Sequence, residues 1–566
     1  MYLRSTPRRN KDGTVVRYLQ LAHNVWDPAA KRSKAQVIYN FGREDASNRE
    51  ALQRLVASVT RFLDPDAALS AAADGLVFVE SRPLGGTWVL DGLWQQLQIG
   101  KAMKRLLKKR RLDASAERVL FALVANRALA PSSKLAAARW VNDDVAIDGL
   151  PATSDDACYR AMDWLLEISA ALEEEVFHQV ANLLNLEVDL LFFDTTSTYF
   201  ETEDADEAVA RDEQGRPVGE NEATDEHQVR GFRSFGKSKD HRDDLPQVVI
   251  GMAVTRTGIP VRVWSWPGCT SDSALIRQVK DDMRDWTLSR IVWVADRGFA
   301  SERNRHHLRT ADHHYIIGEK LRSGSAEATE ALARQGRYQD FRDNLRVKEV
   351  RIREDERFVI CFNSDAADRD AKVRDRLVAH LTDLIDNTDK LTPAKRAELR
   401  GVISTKPGLN RYLRVTPGGL LRIAAAKIKA EENLDGKYLL RTSDPKMTSE
   451  DIALGYKQLL EVERGWRDMK QVIDLRPVFH RKEERIRAHV LLCWLALLLA
   501  RIAETQTGQT WPTLRHELDR IKLGTFTGPA GTFQQRTEIT KPQRDLLNAL
   551  KLDPPPRIYQ LAPASR

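Results

Sequence analysis

LEVDLLFFDTTSTYF, residues 186–200, carries the apolar side chains Val188, Leu190, Leu191, Phe192 and Phe193 straight into a carboxylate, Asp194, followed by Thr195 and Thr196. SRIVWVADRGFAS, residues 289–301, repeats the pattern: the run 291–295 ends in Asp296, then Gly298. Both runs have the length and the β-branched or aromatic content of buried strands. A charge at the end of a buried central strand costs several kcal/mol unless it is paired. Stability therefore explains neither aspartate, and two of them point to a metal site.

Outward from this pair, 247–254 (QVVIGMAV) and 259–266 (IPVRVWSW) read as a hairpin turned by TRTG at Gly258. A helix follows Asp272, a short helix spans about 300–311, and HHYIIG is a further strand. The order β-β-β-α-β-α-β predicts a mixed sheet with helices on its faces, an α/β fold. Beyond residue 318, strand-like pieces (LRVKEVRIRE, RFVICF, GLLRIAAAKI, KYLLRT) surround a charged helical stretch at 364–400, which reads as a mainly β insertion. A long helix at 449–475 resumes the core, a helix at 488–503 packs on it, and a Pro-rich tail follows. Upstream, VVRYLQLAH and AQVIYNFG read as strands before a helix at 48–63, and 87–180 is helical throughout. The expected divisions are 1–64, a small α+β segment; 65–184, a helical DNA-binding region; 185–318, the first part of the core; 319–440, the insertion; 441–510, the second part of the core; and 511–566, the tail.

The formal charge of +7 permits an anionic partner without proving one. KAMKRLLKKRR gathers Lys101, Lys104, Arg105, Lys108, Lys109, Arg110 and Arg111, which suits either a solvated helix face or a DNA contact. Acidic 201–226 reads as a surface loop. Cys158, Cys269, Cys361 and Cys493 form no CxxC pair, which argues against a zinc knuckle or a disulfide framework. His306, His307, His313 and His314 are adjacent pairs whose side chains diverge, so they read as structural rather than as metal ligands. The N-terminus lacks the apolar core of a signal peptide. The apolar segment 488–500, bracketed by Arg487 and Arg501, falls short of the roughly 20 residues of a membrane span. The expected location is the cytoplasm.

Two strand-end aspartates need a third ligand to hold a pair of Mg²⁺ ions. In ALGYKQLLEVERGWRDMKQVIDLRPVFH, Tyr456, Glu463 and Lys470 recur every seven residues. They drift only about 20° per heptad on one helix, so they share a face, with Trp466 and Arg467 on the same side. On this geometry Glu461 is solvated.

Here the chain resembles the DDE transposases of bacterial insertion sequences, in the branch with a Tyr-x2-Arg-x3-Glu-x6-Lys signature. Leu459 stands at the Arg position, and Arg467 is placed to substitute. FFDTTSTYF, GKSKDHRDDLPQ, GIPV…GCTSD, ADRGFAS and LRPVFH…RIRAHV carry the rest of the resemblance, over roughly 188–318 and 437–500. It implies a ribonuclease-H-like core and two-metal phosphoryl transfer with Asp194, Asp296 and Glu463 as catalytic metal ligands. It also implies Mg²⁺ with Mn²⁺ as a substitute, and phosphate contacts from Tyr456, Lys470 and Arg467. Lys101, Lys104, Arg105, Lys108 and Lys109 are the further candidate DNA contacts. The partners implied are the terminal inverted repeats and target DNA, with a homodimer on paired ends in the bacterial cytoplasm at the nucleoid. Relatives hold a flipped base with a Trp of the insertion, and no Trp occurs between 294 and 465 here. Competing readings are another ribonuclease-H-like nuclease and a transposase-derived DNA-binding protein. The size of the insertion and N-terminal region argues against the first, and the retention of three carboxylates against the second.

Overall fold

The computed structural model describes residues 1–64, 76–108, 115–184, 190–219, 221–225, 227–284, 286, 291–322, 324–342 and 344–563. Two compact units emerge. The smaller gathers Met1–Leu84, Arg520–Thr540 and Pro554–Arg566; the larger holds Gly85–Asp519 and Lys541–Asp553.

In the smaller unit β1 (Tyr2–Arg9), β2 (Val15–Asp27) and β3 (Arg32–Arg43) form an antiparallel sheet in that order. β1 escaped the sequence reading because YLRSTPRR has no apolar alternation. Helix α1 (Ala46–Leu63) starts where the Asp45 carboxylate accepts the Asn48 N–H at 2.9 Å. β4 (Val77–Pro83) closes the N-terminal part.

The larger unit opens with α2 (Gly85–Gln96), α3 (Ile99–Leu106), α4 (Ala116–Leu129), α5 (Lys134–Arg139) and α6 (Asp155–Leu184). The sheet region follows: β5 (Leu190–Tyr199), a small pair β6 (Val209–Arg211) and β7 (Gln228–Arg230), β8 (Gln247–Thr255), β9 (Pro260–Pro267), α7 (Asp272–Asp282), β10 (Val292–Ala295), α8 (Glu302–Leu308) and β11 (His314–Glu319). Next come α9 (Ala326–Ala333), β12 (Gln339–Arg342), β13 (Leu345–Arg351), β14 (Arg357–Asn363), α10 (Ser364–Ile385), α11 (Pro393–Ser404), α12 (Pro407–Asn410), β15 (Leu413–Val415), β16 (Leu421–Ile423), α13 (Ala425–Glu432) and β17 (Lys437–Thr442). The last stretch holds α14 (Ser449–Lys457), α15 (Leu460–Gln471), α16 (Glu483–Thr507) and α17 (Trp511–Leu518). After it come β18 (Lys522–Gly528), β19 (Gly531–Arg536), α18 (Lys541–Ala549) and β20 (Ile558–Pro563).

Among the described residues, nine strands make one mixed sheet, ordered β12-β13-β14-β17-β11-β10-β5-β8-β9. β5, β10 and β11 are parallel, and β8 and β9 return antiparallel beside β5. This is the mixed core expected of a ribonuclease-H-like fold. β8 is buried at every position, so it reads as a continuous apolar run rather than an alternating one. α16 is buried on every side from Ala488 to Ala503 and is apolar there apart from His489 and Arg501, with Trp494 donating to the Pro260 carbonyl at 3.1 Å. Among the described residues it is the one helix long and apolar enough to cross a membrane.

Four expectations change. The insertion is less β-rich than its sequence suggests: β12–β14 and β17 extend the shared sheet. The remainder is a largely helical lobe around Leu381, Ile403, Leu409 and Tyr412. In GLLRIAAAKI the alanine-rich half forms α13, as helix propensity favours. Second, the acidic stretch 201–226 includes β6 and carries two clasps, Asp206 to Arg233 at 2.6 Å and buried Arg211 to Glu483 at 2.8 Å. Third, 511–566 is no tail. α17 docks through buried Trp511, whose indole donates to the Ala128 carbonyl at 2.8 Å, and β18–β20 form a sheet ordered β20-β19-β18-β4. Pro512 sits in the first turn of α17, where a missing N–H costs nothing. Fourth, the helix at 449–475 is two helices, broken at Gln458–Leu459.

Candidate active site

β10 pairs with β5 in parallel, Ala295 opposite Phe193. Asp194 and Asp296 therefore leave the pair at the same level, on strands about 4.8 Å apart. Alternation turns both away from Phe193, Ala295, Leu191 and Trp293, which point into the core beneath α7 and α8. Asp194 is not at the end of its own strand, as its sequence suggested. β5 continues to Tyr199 because β8 keeps pairing with it; only the neighbour β10 stops. The Asp296 carboxylate accepts the Gly298 N–H at 2.6 Å, which fixes the turn. Burial pushes the Asp194 carboxyl up to about 6, and the charges of Asp296 and Asp272 add to it; the Thr195 N–H and the Lys239 ammonium oppose them.

The helices α14 and α15 cover the face on which these carboxylates lie. Thr448 caps α14 by accepting the Asp451 N–H at 3.1 Å. Val462, Gly465, Trp466 and Met469 form the buried stripe of α15. A Cβ on Gly465 would stand 2.7 Å from Met252 Cε, and Met252 is the register partner of Asp194. The missing side chain seats α15 beside the aspartates. Glu463, two residues earlier, is exposed. Tyr456 feels the charges of Asp194, Asp296 and Glu463 together, and burial is the main cause that pushes its hydroxyl up to about 12. Its ring lies on Gly318 and stacks on Tyr438 at 6.2 Å.

The one-helix heptad is corrected by the break. The Leu459 N–H bonds to the Tyr456 carbonyl at 3.0 Å and that of Glu461 to Gln458 at 2.9 Å, a tightened turn between two helices. Tyr456 and Glu463 nevertheless stay within each other's field. Leu459, at the signature's Arg position, is buried. Trp466 turns inward, and Arg467 is exposed, with Asp468 at 3.8 Å. Glu461 is not fully solvated: it reaches Gly258 of the β8–β9 turn and lies 3.9 Å from Arg464. Lys470 is held by Asp240 at 3.0 and 3.2 Å, and Arg476 reaches the same carboxylate at 3.2 Å. Arg476 and Arg242 both lie over the Tyr199 ring, at 4.6 and 5.1 Å. Lys239 pairs with Asp272 at 2.7 Å, and its N–H bonds to Ser197 Oγ at 2.9 Å. Lys239, Asp240, Asp272 and Arg476 had no role in the sequence reading. For Lys239 and Asp240 the signal was there in GKSKDHRDD, a charged string ahead of the apolar strand β8; Asp272 and Arg476 carried no such mark.

Lys101, Lys104, Arg105 and Lys108 are exposed on or just after α3, whose Ile99, Ala102 and Met103 face inward. Lys104 pairs with Glu117 at 3.2 Å and Arg105 with Glu175. Lys109, Arg110 and Arg111 lie outside the described residues. Of the histidines, His307 pairs with Asp281 at 3.0 Å, and His313 Nδ1 accepts the Ile291 N–H at 3.0 Å, in keeping with structural roles. Among the described residues no three His, Cys, Asp or Glu side chains are gathered closely enough to hold an ion as they stand. The donor set still suits Mg²⁺, which binds through one or two carboxylates together with substrate phosphates.

Residues 212–499 match the family model described as the transposase DDE domain. The chain belongs to the DDE transposases. The match takes in Asp296 and Glu463 and begins after Asp194. Residues 3–71 of the transposase match a second model, the N-terminal domain of IS1634 family transposases. No curated protein matches it. A piggyBac transposase synaptic complex with hairpin DNA, solved by cryo-EM, is similar at 12% identity, covering 78% of this chain and 82% of that one, with a TM-score of 0.33.

Proposed function

We propose that this transposase binds the ends of its own insertion sequence, cleaves the DNA and joins the 3′ ends to a target. Asp194, Asp296 and Glu463 would hold two Mg²⁺ ions, with Mn²⁺ able to substitute. The observation that supports this most directly is the level placement of Asp194 and Asp296 on adjacent parallel strands, with α15 seated over them by Gly465. Held there, such ions would supply an activated water or 3′-hydroxyl and would stabilise the leaving oxygen. Asp194 is ionised above about pH 6, where the charges of Asp296 and Asp272 crowd its own. The Tyr456 hydroxyl keeps its proton, so it donates to a phosphate oxygen. Lys470, steadied by Asp240, contacts a phosphate as a point charge. End binding falls to residues 1–180, with Lys101, Lys104, Arg105, Lys108 and Lys109 on the DNA backbone and Arg467 near the cut strand. The active species is a homodimer on paired ends, working in the bacterial cytoplasm. Cleavage of end DNA should require Mg²⁺ or Mn²⁺. Asp194→Ala and Asp296→Ala should abolish it while end binding stays near wild type. Robust cleavage in excess EDTA, or in either variant, rules the metal reading out.

A further inference from the structure

The strand register of the N-terminal sheet places a set of polar side chains on one face. Arg4 pairs with Gln20 and Gln20 with Asn40, which makes one row across the three strands. Thr6 pairs with Tyr18 and Tyr18 with Arg43, which makes the next row, and Arg8 follows two residues on along β1. Side chains two apart on a strand share a face. The Thr6 hydroxyl accordingly reaches Gln20 Oε1 at 3.2 Å. The other face carries the apolar row Leu3, Leu21 and Tyr39, with Leu19 beside it. The face of Gln20 also carries the row Tyr2, Ala22 and Val37, with Ala22 buried, so its polar part is the end nearer Arg8 and Arg43.

Charge separates this face from the basic run on α3. The three strands carry seven Arg and Lys against a single acid, Asp27 at the end of β2. Arg4, Arg8 and Arg43 are exposed. On α3, by contrast, Lys104 and Arg105 already have Glu117 and Glu175 as partners. Arg, Asn and Gln are the side chains that read guanine and adenine edges bidentately, and a β-ribbon fits the major groove, about 12 Å wide. Three strands about 4.8 Å apart have a backbone width of roughly 10 Å.

We infer that the face bearing Arg4, Arg8, Gln20, Asn40 and Arg43 is a duplex-DNA reading surface that enters the major groove at the element's ends. Arg9 and Arg17 near the β1–β2 turn, and Arg32 and Lys34 at the far end, meet phosphates on either side. This rests on the transposase reading, and it moves sequence recognition from the helical region to the sheet.

The test is a fluorescence-anisotropy titration of the full chain, over a range of salt, with a duplex spanning one end of the element and a scrambled duplex of equal length. Wild type should prefer the end. Arg4→Ala with Arg8→Ala and Arg43→Ala should weaken end binding about tenfold or more and flatten the salt dependence. Gln20→Ala with Asn40→Ala should bring end and scrambled affinities together while leaving the salt dependence in place. The triple Arg→Lys variant, which keeps the charge, should retain the salt dependence and lose preference. Wild-type affinity and preference in all three variants overturns the inference and leaves the transposase reading standing. So does a loss traced by mass photometry to a changed oligomeric state, which would make the sheet a contact between copies. A wild-type chain with no preference for the end overturns both.

Discussion

Gly465 and Met252 decide which glutamate can serve the aspartates. The contact between them turns one side of α15 onto the sheet at the level of Asp194. It leaves Glu463 at the open edge and sends Glu461 toward Gly258. Glu463→Gln should therefore lose strand cleavage and strand joining together, with DNA binding retained. Glu461→Gln should stay near wild type in both reactions and move stability by only about 0.5 kcal/mol, as partly exposed substitutions do. Gel assays of cleavage and joining alongside thermal melts would check both; the opposite pattern would mean the register of α15 is misassigned. The sequence singled out Glu463 by its heptad with Tyr456 and Lys470, on a helix that is in fact broken at Gln458–Leu459. Asp240 was not, because nothing local marks a carboxylate as the partner of a lysine elsewhere in the chain.

The contact between β11 and α14 is what holds Tyr456. A Cβ on Gly318 would stand 2.3 Å from the Tyr456 hydroxyl and 3.0 Å from its Cζ, so the strand needs glycine for the ring to lie flat. The ring moves as a body, so Gly318→Ala should tilt it away from the carboxylates. We expect cleavage to fall about tenfold or more, which is about 1.4 kcal/mol of barrier, with end binding preserved. Near-wild-type cleavage would show that Tyr456 placement is unimportant. Element boundaries were the least legible layer. The end of β10, the continuation of β5 and the break at Gln458–Leu459 are set by partners rather than by local propensity.

Across the larger unit, buried ionisable groups set the response to acid. His480 is pushed down to about 4, and His489 lies well below its ordinary value. In both cases burial is the main cause, with Lys134 and Arg127 adding to it. His489 also contacts the Leu475 carbonyl at 3.0 Å. In the unfolded chain both titrate near 6.5, so between pH 6.5 and 4 the unfolded state binds more protons. Their contribution is intact above about 6.5 and is lost as pH falls toward 4. Asp194 at about 6 and Glu173 at about 7 act in the opposite sense, because raised carboxyls lose stability as pH rises through the same range. The two effects are separated by difference. The melting temperature of His480→Gln should fall less steeply than wild type from pH 6.5 to 4, and the two should run parallel above pH 7. Parallel curves throughout would contradict a buried neutral His480.

What the amino-acid order determined by itself was local or periodic. It supplied the apolar runs ending in Asp194 and Asp296, the alternation of strands and helices through the core, the buried 488–500 segment, and the spacing that resembles DDE transposases. Such features are carried by neighbours along the chain, where side-chain period and burial are coupled. Tertiary structure alone decided where β5 ends relative to β10, and that β12–β14 extend the large mixed sheet. It also decided that residues 522–536 pair with β4, and which cations already have partners. These depend on groups far apart in sequence: Lys470 meets Asp240 across 230 residues. No local propensity encodes such a pairing, because its energy exists only once the sheet and its covering helices have brought the two side chains together.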